Sequence, residues 1–76
     1  MFDEEIILHN AKIFLDKIHG INPFIYAEVK ELYDVISSFH SLPAPSQDLI
    51  ESYKNQKIES LAVVLHTYGV SIDKKN

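Results

Sequence analysis

The chain has 76 residues, a net charge of −4, seven lysines, no arginine and no cysteine. This length supports one domain, and without thiols for a disulfide or a metal staple its stability must come from apolar packing or association. An acidic chain without arginine lacks the side chain that most often reads phosphate and guanine, so nucleic acid is not an expected partner.

Apolar residues make up 46% of the chain, which suits a folded core and argues against disorder. No apolar run approaches the roughly 20 residues of a membrane-spanning helix. The opening MFDEE is acidic ahead of its apolar part, the reverse of a secretory leader. A cytoplasmic protein with no membrane span is expected. The apolar spacing predicts an all-α, antiparallel three-helix domain over 1–76, with helices at 3–19, 23–40 and 46–68 and a frayed tail at 70–76.

Helix one starts at Asp3, a candidate N-cap followed by Glu4 and Glu5 in the turn where the helix dipole favours negative charge. Phe2 and Ile7 have the spacing of a hydrophobic staple. Ile7, Ala11, Phe14, Leu15 and Ile18 make the apolar stripe, with Leu8 on its flank. Gly20 can take positive φ beyond the helix, and Ile21 is expected to fold back on Leu15.

Asn22-Pro23 is a strong start signal for helix two: a preferred N-cap, then a proline whose missing amide would be unpaired anyway. Ile25, Val29, Leu32, Ile36 and Phe39 share one face, edged by Phe24, Tyr33 and Val35. So short a connection makes helices one and two an antiparallel hairpin. Pro43-Ala44-Pro45 then stops helix two as a stiff corner, and Ser46 caps the third helix.

Ile50, Ile58, Leu61, Leu65 and Tyr68 form the third stripe, beside Tyr53 and Val64. Lys54-Asn55-Gln56-Lys57 interrupts it. No glycine or proline stands there, which favours one continuous helix over a break near Asn55 that would give four. Gly69 ends the helix, with Val70 folding back on Leu65.

Candidate chemistry is sparse. The four histidines include no i, i+4 pair and no HExxH. Asp16 and His19 have one copy of a spacing that di-iron bundles use twice, with two further glutamates. His19 and His40 suit last helical turns. Glu28 and Glu31 form a carboxylate pair that needs a cleft to split its pKa values, which a three-helix domain scarcely provides. Ser37, Ser38 and His40 lack a nucleophile elbow, and no glycine-rich phosphate loop is present. No catalytic residue, no metal and no cofactor is expected.

An apolar surplus is harder to assign to a core. Ile6 and Ile13 point away from the helix-one stripe beside His9, Asn10 and Lys17, while Phe24 and Tyr26 widen the apolar sector of helix two. Ile6, His9, Ile13, Phe24 and Tyr26 are therefore the candidate partner or self-association surface. The alternative is that helix three wraps far enough to cover the isoleucines.

The stretch SLPAPSQDLIESY resembles the small helical immunity proteins of class II bacteriocins, in which a Leu-Pro corner leads into a helix carrying Leu and Tyr. That resemblance implies a protector protein of four short helices. The first expectation is a non-catalytic interaction module acting as a regulator, inhibitor or adaptor, with another protein or a second copy as partner. A DNA-binding regulator ranks below both, because Glu51 and Glu59 flank Lys54 and Lys57 on the only helix basic enough to serve.

Overall fold

The computed structural model describes residues 2–39 and 47–76, with the backbone alone at 47–49. The proline corner, His40 and the Ser46 cap lie outside the described residues. Three helices are present, α1 (Glu4–Ile18), α2 (Pro23–Ser38) and α3 (Gln47–Thr67), and each packs on the other two.

The two predicted N-caps that fall within the described residues are made. Asp3 accepts the Ile6 amide at 3.2 Å, and Asn22 accepts the Ile25 amide at 3.1 Å, with Pro23 opening α2. Each bond satisfies an amide that has no partner inside its helix. α3 is continuous through Lys54–Lys57, so the four-helix alternative with a break near Asn55 does not hold. Lys54 explains how the polar interruption is tolerated: its ammonium reaches Glu4 of α1 at 3.4 Å, both side chains being largely sheltered.

Pairs of residues fix the helix directions. Glu4 meets Lys54 and Phe14 stacks on Tyr68 at 6.0 Å, so α1 and α3 run the same way. Phe39 meets Tyr53 edge-on at 5.5 Å while Glu28 accepts from Tyr68, so α2 runs against α3 and hence against α1. The result is the expected up-down-up bundle with short-range antiparallel neighbours.

The core is Ile7, Ala11 and Leu15 from α1, Val29 and Ile36 from α2, and Ile58, Leu61, Ala62 and Leu65 from α3. Leu8, Phe14, Ile25, Leu32, Tyr33 and Val64 pack around it half-buried. The predicted stripes thus face inward, except that Tyr53 and Tyr68 remain exposed.

The two glycine stops work differently. At the end of α3, Val70 donates its amide to Leu65 at 2.8 Å and Gly69, at φ 79°, donates to His66. That is a Schellman motif, and Val70 packs against the core as expected. At the end of α1, His19 has already left the helix at φ −57°, ψ 121°, and Gly20 follows at φ 77°. With Ile21 donating to the Ile18 carbonyl at 2.9 Å, this is a type II turn with glycine at its third position. The turn swings Ile21 outward to 77% exposure, so its expected fold-back on Leu15 does not occur.

Residues 70–76, expected to fray, are instead docked. Val70 and Ile72 pack against the core, and Ser71 is half-buried. What holds them is a polar side chain on α1.

Candidate contact surface

Asn10 is the one fully buried polar residue among those described. Its Nδ2 donates to the main-chain oxygens of Ser71 and Lys74, each at 2.8 Å, and its Oδ1 accepts the Asn76 amide at 2.9 Å. An amide can make four such bonds, and three are made here to one short segment. Burying this amide without those partners would be costly, so the segment and Asn10 depend on each other. Around that centre, Lys75 Nζ lies 2.6 Å from Glu5 and His9 Nε2 lies 3.3 Å from the Asn76 main-chain oxygen.

This docking divides the five residues of the predicted surface. Ile6, His9 and Ile13 do lie on the outer face of α1, but residues 71–76 run along it. Ile6 shares a shallow groove with Phe2, Ile72 and Asp73, and Ile13 shares another with Val70 and Asn76. Both isoleucines are half-buried and His9 is exposed. The neighbours that line these two grooves from outside α1 come from Phe2, Asp3 and the segment after α3.

Phe24 and Tyr26 belong elsewhere. They sit where α1 turns into α2, and Ile6 lies twelve residues before the end of α1, about 18 Å away along the helix. Tyr26 is half-buried and meets His19 edge-on at 5.3 Å. Phe24 is 87% exposed, beside Ile21 at 77%. These two large apolar side chains, three residues apart at one corner, are the most exposed in the described chain. Spacing pointed to Phe24; Ile21 was missed because its fate depended on which turn Gly20 would make.

The remaining polar groups are spoken for or dispersed. Glu28 accepts the Tyr68 hydroxyl at 3.0 Å, which holds the phenol above its ordinary pKa, with desolvation and the carboxylate charge adding to the shift. Lys30 contacts both oxygens of Asp34 at 2.8 Å, and that hydrogen-bonded pairing raises the ammonium pKa despite some desolvation. Lys57 lies over the Tyr53 ring at 5.3 Å. Among the described residues, no three His, Asp or Glu side chains converge as a metal-binding group, and no helix is long and apolar enough to cross a membrane. The chain matches no family model, no curated protein and no solved structure.

Proposed function

We propose that this is a non-catalytic protein–protein interaction module whose contact centre is the Ile21–Phe24 corner between α1 and α2. The observation that carries this reading is the exposure of Phe24, a side chain whose burial is worth about 1.5–3 kcal/mol. A capped, proline-started helix end presents it on a rigid base, so little conformational freedom is lost when a partner covers it. Nearby Tyr26 and His19 supply an aromatic shoulder with polar edges, the composition favoured at contact centres. The spread of carboxylates and imidazoles, several already engaged within the fold, gives no competing support to an acid–base or metal-dependent activity.

The partner is another protein or a second copy of the chain. The DNA-binding alternative loses support because Lys54 and Lys57, its two central cations, are engaged with Glu4 and Tyr53. The protector alternative loses its structural marker with the continuity of α3.

Photo-crosslinking tests the reading. A benzophenone side chain at position 24, in the cell that makes the protein, should give one discrete adduct that a matching label at exposed Asp16 does not give. An adduct at the chain's doubled mass identifies self-association. Identical adducts from both positions, or none from position 24, would remove the corner as a contact centre.

A further inference from the structure

Residues 71–76 are held to the bundle by the Asn10 carboxamide and by Ile72, which is half-buried against the core. The side chains of residues 73–76 are exposed. Two further contacts, Lys75 with Glu5 and His9 with the Asn76 main chain, lie in solvent, where such contacts contribute little. The three bonds of Asn10 reach the start, the middle and the end of the segment, at Ser71, Lys74 and Asn76. They are not independent. All three meet at one planar carboxamide on a fully buried residue, so losing a single partner strands a buried polar atom. Loss of all three together admits water to the whole amide and avoids that penalty, which makes the clasp all-or-none.

The bundle does not need the segment. The fully buried core comes from the three helices, and α3 is already stopped by the bonds of Gly69 to His66 and Val70 to Leu65. Ordering six residues against so few contacts offsets most of what those contacts contribute, which puts the segment at the low end of local stability.

We infer that residues 71–76 form a two-position strap, which opens and closes as one unit beyond Val70 while the bundle stays folded. Closed, Ile72 and Asp73 line the groove at Ile6, and Asn76 lines the groove at Ile13. Open, the strap carries Ile72 off the core and bares Ile6, Ile13 and the Asn10 amide together. The strap thereby governs how much apolar surface α1 presents. It is separate from the Ile21–Phe24 corner and does not rest on it.

Hydrogen exchange of the unaltered chain, followed by nuclear magnetic resonance over a series of low urea concentrations, tests this. The Asn76 amide and the Asn10 carboxamide protons should share one protection factor within threefold. That factor should lie at least tenfold below those of the Leu61 and Leu65 amides. It should also barely change with urea, because opening the strap exposes little surface, whereas protection of Leu61 and Leu65 falls steeply. Protection that tracks Leu61 and Leu65 at every urea concentration would overturn the inference, since no separate opening then exists. An unprotected Asn76 amide beside a protected Asn10 carboxamide would also overturn it, because the segment then frays bond by bond. In Asn10→Ala, residues 71–76 including Ile72 should move to random-coil shifts together while the helices keep theirs. Native shifts retained at Ser71 and Ile72 would refute the single unit, and the exchange data decide alone if this variant fails to fold.

Discussion

The Asn10 amide nitrogen lies 2.8 Å from the main-chain oxygen of Ser71, sixty-one residues further along the chain. Through this bond and its two companions, a buried side chain on α1 fixes the path of residues 71–76. Asn10→Ala should therefore cost about 2 kcal/mol, the range for removing a buried hydrogen-bonding partner. Lys75→Ala breaks only a solvent-exposed ion pair and should cost less than about 0.5 kcal/mol. Urea denaturation of both variants compares the two; equal losses would mean that Asn10 is not the principal clamp.

Leu61 is fully buried where α3 faces the core. Leu61→Ala should destabilise by about 2–5 kcal/mol through lost transfer energy and the cavity left behind. A domain of this size has little stability in reserve, so a large fraction of the variant should be unfolded at room temperature. Circular dichroism at low temperature and on heating reads that directly.

The Lys54–Glu4 pair joins the middle of α3 to the first turn of α1. Both side chains keep some solvent contact, so screening limits the pair to roughly 1 kcal/mol or less. Lys54→Met retains the packing stem without the charge, and its deficit should shrink as salt is raised. No deficit, or one that does not change with salt, would contradict an electrostatic role for Lys54.

Tyr68 makes one contribution to the bundle that weakens at alkaline pH. Its phenol is held above the ordinary value of 10.0, first by the hydrogen bond to Glu28, so the folded chain keeps this proton after the unfolded chain has lost it. That contribution is complete below pH 10 and disappears as pH rises through the folded-state value. Glu28→Gln should bring the phenol back towards its ordinary value, seen by ultraviolet titration of phenolate absorbance. Tyr68→Phe should flatten the loss of stability above pH 10; an unchanged slope would refute the linkage.

The helix stripes were legible because a 3.6-residue period, two good N-caps and two glycine stops all agree on the same three segments. What escaped was decided by contacts remote in sequence. Asn10 stands three residues after Ile7 and four before Phe14, at the edge of the apolar stripe between it and Ile6 and Ile13, and a mid-helix asparagine there is a weak helix former. That misfit was the available signal for a buried polar contact, but the sequence could not reveal its partner. The segment SIDKKN has the composition of a frayed end, and the Asn10 clamp, with Ile72 packed on the core, gives it a fixed place. Ile21 turned outward because α1 ends at Ile18, with His19 already extended before glycine can act as the helix cap. Thus the apolar surplus was visible, but its division into a covered α1 face and an open corner was not.

The most direct test of this division is isotope-edited nuclear Overhauser spectroscopy of the unaltered chain, observing the side-chain amide of Asn10. The structure predicts cross-peaks from its two protons to Ser71 and Lys74, with the Asn76 amide protected from exchange relative to a free peptide. Random-coil shifts for residues 71–76 with no cross-peaks to Asn10 would contradict it, and would return Ile6 and Ile13 to the open surface.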